Sequence, residues 1–319
     1  WAPTIFWLFV GRIFSGITGA SITTASAYIA DISDDSNRSK NFGMIGAAFG
    51  LGFIIGPVIG GLLGQFGSRV PFYAAAVLCL VNFAYGYFIL PESLGKEHRR
   101  PFEWKRANPV GSLLKVRTHP EILKLFIAWF LVYLASHAVQ TNWAYFTMYK
   151  FAWDEKTVGI SLGVMGAFTA FVQGFLIRKV HPKLGSERSI LYGIMFYCTG
   201  MLLFAFAQKE WMMYAILAIY CLGGIAGPAL QSVISSKVSP KEQGDLQGAL
   251  TSVISITSII GPLLMTQIFY FFTHPDAKIK LLTLELKPPF QFSGAPFFLG
   301  FVLMAVSAYF VYYVFHRKK

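Results

Sequence analysis

The chain has 319 residues, of which 55% are hydrophobic and only 13% are charged, and its mean hydropathy is +0.55. Soluble domains carry about twice that charged fraction, so the composition excludes an ordinary soluble protein and predicts an all-α polytopic membrane protein. The net charge of +12 does not indicate nucleic-acid binding, because the basic residues lie in short loops between apolar segments.

Nine apolar segments are long enough to cross a bilayer as helices. They span residues 5–30, 43–65, 70–90, 121–149, 157–177, 189–207, 211–235, 246–272 and 295–315. Alternate loops carry 18 Lys and Arg residues in one set and 7 in the other. The richer set, which includes the C-terminal tail, is predicted to be cytoplasmic. This pattern indicates a multi-pass protein, most simply of a bacterial inner membrane.

The uncharged segment 43–64 carries a glycine at every fourth position over its second half. That spacing predicts a helical face without side chains, against which another helix can pack closely. Pro57 removes one backbone donor in mid-span, so a kink or a weakened turn is expected there. The glycines of this face are Gly52, Gly56, Gly60 and Gly64.

The same segment has a second copy. Gly43-x12-Gly56-Pro57 matches Gly248-x12-Gly261-Pro262, with an offset of 205 residues (261 − 56). Such repeats are typical of secondary transporters. The polar stretch 91–120 is predicted to be a cytoplasmic linker between a first half, 1–90, and a six-helix half, 121–319. By this repeat the first half lacks three helices, or about 84 residues, and we expect an N-terminally truncated chain that transports nothing alone.

Several polar side chains lie inside the apolar segments. Arg12 is a charge deep in the first segment, where it is expected to face the bundle interior and to act on a proton, or else to bond backbone carbonyls. His137 could titrate near neutral pH, or be a neutral histidine that is hydrogen-bonded in the bundle. Its helical face is predicted to line a cavity. The other members of that face are Tyr133, Gln140 and Thr141.

Further polar groups lie on other segments, at Thr169, Gln173, Tyr197 and Gln231. They are candidates for orienting a substrate, with hydrogen bonds between helices as the alternative. Gly159-x-Ser161-x-Gly163 matches a hydrolase pattern, but that pattern needs a strand-to-helix turn, so we treat the match as coincidental. The sequence contains no metal-binding motif and predicts no cofactor.

The motifs resemble those of the major facilitator superfamily, in its drug/proton antiporter branch, and most closely its tetracycline-efflux group. Gly11-Arg12-Ile13 is similar to the family's fourth-helix motif. Gly52-x3-Gly56-Pro57-x2-Gly60-Gly61 is similar to its fifth-helix antiporter motif, and Asp31 with Arg38 to its acidic cytoplasmic loop. Gln173 matches an eighth-helix glutamine of the tetracycline group, whereas Thr169 and Tyr197 replace a histidine and an aspartate.

The resemblance implies two six-helix halves, the first truncated here, with no enzymatic activity. It implies proton coupling or gating by Arg12, Asp31 and Arg38, and export of a small amphiphilic compound such as a drug, an antibiotic such as tetracycline, or a metabolite. Its partners would be the substrate, protons and the bilayer. The protein would be a monomer. The alternatives are a facilitator or importer of a nutrient and a non-transporting membrane relative.

Overall fold

The computed structural model describes residues 2–34, 36–67, 69–95, 120–239, 242–274, 279–281, 284–288 and 290–316. Within these residues the chain forms eleven α-helices and one antiparallel hairpin, β1 (Ile279–Leu281) with β2 (Leu284–Leu286), which confirms the all-α class. The helices are α1 (Ile5–Ile17), α2 (Ser21–Asp31), α3 (Arg38–Gly64), α4 (Val70–Phe88), α5 (Pro120–Phe151), α6 (Glu155–Phe171), α7 (Ile177–Phe206), α8 (Glu210–Leu222), α9 (Ala226–Ser235), α10 (Gln243–Thr273) and α11 (Ala295–His316).

Seven helical segments in the described part of the chain are long and apolar enough to cross a membrane. One of them, Lys156–Phe206, has 51 residues. At 1.5 Å per residue it would be about 75 Å long, more than twice the hydrocarbon core of a bilayer. Gly185 interrupts it with φ 73° and ψ 173°, so it makes two passes. The loop predicted between the segments 157–177 and 189–207 is therefore too long, because its basic residues before Gly185 continue the helix.

The helix bounds repeat at the spacing that the sequence indicated. α8 begins 205 residues after α1 (210 − 5), α9 begins 205 after α2, and α10 begins 205 after α3. The two sets of helices are thus equivalent elements of a duplicated unit. The predicted linker lies outside the described residues from 96 to 119, so the domain boundaries stay a prediction.

The second half contains most of the packed core. α5 packs against α10 and α11, and α11 also packs against α7; the fully buried side chains there include Trp129, Trp143, Phe146 and Phe297. Ser307 on α11 donates a buried hydrogen bond of 3.0 Å to the Ala128 carbonyl on α5. By contrast, α1 and α4 have no buried residue. Those two helices therefore present apolar surface that suits contact with lipid or with further helices.

The closely packed glycine face of α3 differs from the predicted one. A Cβ added at Gly50 would lie 2.8 Å from the Ala170 nitrogen, and one at Gly43 would lie 2.9 Å from the Gln173 carbonyl oxygen. No described atom lies within 4 Å of such a Cβ at Gly52, Gly56, Gly60 or Gly64. The i+4 pattern identified a face without side chains in the second part of α3, but α6 and the residues that follow it pack against the first part, at Gly43 and Gly50. The surroundings of Pro57 and Gly61 lie outside the described part, although α3 runs without interruption through both positions.

Replacing Gly50 with alanine should separate α3 from α6, because the new methyl group meets backbone atoms that no rotamer change can move. We expect a loss of about 1–3 kcal/mol in unfolding free energy, as for other overpacked contacts. The measurement is the thermal unfolding midpoint of the purified protein in detergent. Gly52→Ala is the matched control on the same helix and should keep the parent midpoint; equal midpoints for both variants would contradict this packing.

Candidate transport site between the halves

Regular α-helix is interrupted in two of the membrane segments, and we call each interruption a break. Residues 18–20 separate α1 from α2, and a 3₁₀ turn at Gly223–Ile225 separates α8 from α9. The breaks are equivalent in the repeat, since 223 − 18 is again 205. Irregular backbone at membrane depth is tolerated only where it is covered by protein or lines a cavity. Interrupted segments at corresponding positions in two halves are a pointer to the binding site of a transporter.

Polar and aromatic side chains surround the second break. The ring of Tyr197 lies directly on Gly223, where a Cβ would come within 2.5 Å of the ring carbons. Tyr197 and Tyr220 pack with ring centroids 4.8 Å apart. The Thr169 hydroxyl donates to the Cys221 sulfur at 3.9 Å. Two of the predicted substrate residues, Thr169 and Tyr197, are thus brought to one place by the helix break.

Gln173 lies between the two halves. It belongs to a π-helical segment, Val172–Leu176, which joins α6 to α7. Its side-chain amide occupies the space that a Cβ would need at Gly46 on α3, and its Nε2 lies 3.2 Å from the Cβ position of Gly224 at the second break. Insertions of this kind in α-helices occur often at functional sites. Here the segment directs a glutamine amide at two glycines on two different elements.

The halves meet at one end of the described bundle. On α2, the Thr23 hydroxyl donates to the Thr251 hydroxyl of α10 at 3.0 Å. On α3, Gly46 contacts Gln173 and Gly50 contacts Ala170. We call these contacts the closed end. Further along α3, the described surroundings of Gly52 and Gly56 are open, and the whole of α1 is exposed or nearly so.

The predicted polar face of α5 does not form one open surface. His137 is only 7% exposed, and its ring lies against Gly261 of α10, where a Cβ would be 2.4 Å from the His137 Cδ2. Tyr133 packs on Trp129 at 4.8 Å between centroids. Gln140 is exposed and donates to the Ser136 hydroxyl on its own helix, while Thr141 is half-buried.

Two other polar residues make contacts between helices. Gln231 donates from Nε2 to the Gln247 Oε1 at 2.8 Å, which joins α9 to α10. Ser161 accepts a 2.8 Å hydrogen bond from the Trp143 indole nitrogen and donates to the Val158 carbonyl. It is fully buried, so its hydroxyl is a packing group, consistent with reading the hydrolase pattern as coincidence. These are the interhelical bonds that an apolar environment favours.

This geometry agrees with what sequence comparison finds. A model of the Major Facilitator Superfamily matches residues 1–262. The chain belongs to the major facilitator superfamily. It is 39% identical over 267 residues to the tetracycline resistance protein, class C, of Escherichia coli, an alignment that covers 84% of this chain and about two thirds (67%) of that protein.

Two solved facilitator structures share the fold. The human organic anion transporter MFSD10 (TETRAN) aligns with a TM-score of 0.80 at 20% identity, covering 95% of this chain and 70% of that one. The transporter FucP in its outward conformation aligns with a TM-score of 0.66 at 13% identity, covering 92% and 72%. These alignments show that the chain has the fold of the major facilitator superfamily, the family to which its sequence belongs.

The charged residues of this facilitator lie apart from the second break. Arg12 is exposed on α1 and has no hydrogen-bond or ion-pair partner among the described residues. Asp31 ends α2 and accepts a 2.9 Å hydrogen bond from the Ser93 hydroxyl. Arg38 donates from Nη2 to the Ser33 carbonyl at 3.0 Å, within the loop that joins α2 to α3. In that loop the Ser36 hydroxyl and the Asn37 N–H donate to Asp34 and lower its pKa.

Sequence reasoning missed the residues that join the halves of the facilitator. Thr23, Thr251 and Gly46 were not selected, and neither were Gly223 and Gly224 at the second break. A signal was present in the two adjacent glycines within an apolar segment, since such a pair weakens a helix. Nothing in the sequence indicates that one threonine on α2 reaches another on α10.

The contact of His137 with Gly261 can be tested by a double-mutant cycle. Gly261→Ala should lower the unfolding free energy by about 1–3 kcal/mol, because its methyl group overlaps the imidazole ring. In a His137→Ala background the same change should cost much less, since the ring is gone. The measurement is the unfolding midpoint in detergent. Gly248→Ala, on the same helix with no described atom within 4 Å, is the control; additive effects of the two changes would contradict the contact.

Proposed function

We propose that this facilitator exports a small amphiphilic organic compound in exchange for protons, by alternating access between its two halves. The observation that carries the proposal is the pair of equivalent helix breaks, one in each half, beside contacts that join the halves at one end. When the two halves rock about a site at such breaks, the site is open to only one side of the membrane at any one time.

The side chains around the second break support an amphiphilic substrate. Two tyrosine rings, a threonine, a glutamine and a thiol combine apolar surface with a few hydrogen-bonding groups, as ligand sites usually do. The tetracycline resistance proteins suggest tetracycline as the first compound to test. Because Thr169 and Tyr197 stand where that group has a histidine and an aspartate, we expect a range of compounds that differs from theirs.

We assign proton coupling to the first half. Arg12 is a cation inside a membrane segment, and such a charge lowers the pKa of any carboxyl group that approaches it. Asp31 and Arg38, at the loop between α2 and α3, are assigned to gating at the closed end. In this proposal the closed end faces the cytoplasm of a bacterial inner membrane, with the C-terminus on the same side, and the protein works as a monomer.

Gln173 has a gating role in this cycle. Its amide fills the gap between Gly46 and Gly224 while the closed end is shut. When α3 moves away from α6, the amide is released next to the second break, where it can hydrogen-bond to the substrate. The same side chain then contributes to closure in one state and to binding in the other.

The function is tested by uptake and efflux in cells that produce the protein at its native length. We expect cells with the protein to accumulate less tetracycline, or less of another amphiphilic compound in a panel, than cells without it. A protonophore should remove the difference, because export would consume the proton gradient. Arg12→Ala should also remove it while the inserted amount, measured by immunoblot of membranes, stays the same.

Two results would contradict the proposal. Higher accumulation in producing cells would indicate import, and equal accumulation across the panel with normal insertion would indicate a relative that does not transport. Export that persists with Arg12→Ala would leave transport in place but remove this arginine from the coupling.

A disulfide across the closed end should stop the cycle. The two threonine hydroxyl oxygens are 3.0 Å apart, so the sulfurs of a Thr23→Cys, Thr251→Cys pair are placed to bond at about 2.0 Å. Oxidation should abolish efflux, and a reducing agent should restore it. The two single-cysteine variants are the controls for the native cysteines Cys79, Cys198 and Cys221. Unchanged efflux after cross-linking, with the disulfide verified by mass spectrometry, would show that the closed end need not open.

A further inference from the structure

One recess among the described residues lies far from the closed end. It has a volume of about 870 Å³ and lies where α5 ends and α8 begins. α10 starts at the closed end and finishes beside this recess, where the Tyr149 hydroxyl donates to the Thr273 carbonyl at 3.3 Å. The recess is therefore at the opposite membrane surface and plays no part in the contacts between the halves.

The recess combines aromatic rings with two lysines. Trp211 and Tyr149 line it and are 65% and 54% exposed. Exposed Trp and Tyr side chains at helix ends are typical of the boundary between hydrocarbon and lipid headgroups. Lys150 and Lys209 also line it, at the same depth as these rings. The stems of such lysines lie along apolar surface while the ammonium groups reach toward the headgroups.

Among the described residues, the lining of the recess carries one more positive than negative charge. Lys150 is half-buried, with its ammonium 5.3 Å from the centroid of the Phe146 ring. Within the described residues, neither Lys150 nor Lys209 lies within ion-pair distance of a carboxylate. Glu210 is the acidic residue of the lining, which leaves one net positive charge. A partly buried cation without a partner favours a singly charged anion beside it.

The backbone beside the recess is held in an unusual conformation. Ala152 has φ 53°, in the left-handed region that residues with a Cβ seldom adopt. This residue turns the chain from α5 to α6, and it lines the recess next to Lys150. Strained backbone persists where surrounding contacts require it, and it is concentrated at binding sites. Here it accompanies a recess that already has the charge and the rings of an interface site.

We propose that this recess binds the phosphate headgroup of an anionic membrane phospholipid such as phosphatidylglycerol. Lys150 and Lys209 contact the phosphodiester, and the exposed rings of Tyr149 and Trp211 contact the glycerol and the first methylene groups of the acyl chains. One phosphodiester carries the single negative charge that the lining lacks. The site belongs to the lipid-facing surface, so it is separate from the substrate pathway proposed above.

The test compares two lipids on the purified full chain in a neutral detergent. Lipids brominated on the acyl chain quench tryptophan fluorescence on contact, and Trp211 in the lining makes the protein its own probe. We expect brominated phosphatidylglycerol to quench with a lower apparent dissociation constant than brominated phosphatidylcholine. Each lysine near an anionic surface contributes about fivefold in affinity, so Lys150→Gln with Lys209→Gln should weaken phosphatidylglycerol binding about 25-fold.

The matched control is Lys156→Gln, which removes one exposed lysine at the same membrane surface but outside the recess. It should keep the parent affinity, and the helical circular dichroism of all variants should match. Trp211→Phe should remove most of the quenching that is specific for phosphatidylglycerol. Equal affinity for the two lipids, an unchanged double variant, or an equal loss with Lys156→Gln would overturn the site. Full competition by water-soluble glycerophosphoglycerol would identify a soluble anion as the ligand and overturn the lipid.

Discussion

Contact between the halves depends on the absence of side chains on one short stretch of α3. Helices in a membrane gain little from burying apolar groups against each other, so close backbone approach has to supply the attraction. Gly43, Gly46 and Gly50 allow α3 to meet α6 and the π-helical segment at van der Waals distance. A methyl group at any of the three would press on the facing helix or displace Gln173. Glycine is therefore required most strictly at Gly43 and Gly50, where the facing atoms belong to the backbone, whereas at Gly46 the Gln173 amide would have to move.

In the second half, the close contact with α3 depends on two irregular turns, the π-helical segment and the second break. The π-helical turn at residues 172–176 changes the helical register and so sets the direction of Gln173. The two glycines of the 3₁₀ turn, Gly223 and Gly224, leave the space that Tyr197 and Gln173 occupy. The same break recurs after α1, at the equivalent position of the repeat. Because the duplicated unit carries the break in both halves, the irregular backbone is a property of the unit. Only the second copy is covered by aromatic side chains among the described residues.

The sequence predicted much of the fold, because hydropathy and the Gly-Pro repeat depend on short stretches of chain. It found the membrane segments, the duplicated unit and the family. It gave less information on the site, because the contacts of each side chain there depend on which helix packs against it. For Gln231 the sequence left open a substrate contact or a hydrogen bond between helices, and in the structure Gln247 accepts its hydrogen bond. His137 reads as a cavity residue, yet Gly261 lies directly beneath its ring. The glycine face of α3 was found, but the partner contacts its other end.

The distribution of acidic residues limits where a proton can be carried. No aspartate or glutamate lies between residues 122 and 153, 156 and 186, 188 and 209, or 211 and 241. α10 has its one carboxylate, Asp245, in the first turn, and α11 has none. His181 and His316 lie near the ends of membrane-spanning helices of the second half, whereas His137 lies in mid-helix, where its ring is packed on Gly261. At the second break, Thr169 and Tyr197 add polar groups that are uncharged near neutral pH. In the proposed mechanism, coupling to protons is therefore assigned to Arg12 and a carboxyl group that approaches it, and the selection of the substrate to the shape and hydrogen bonds of the second half.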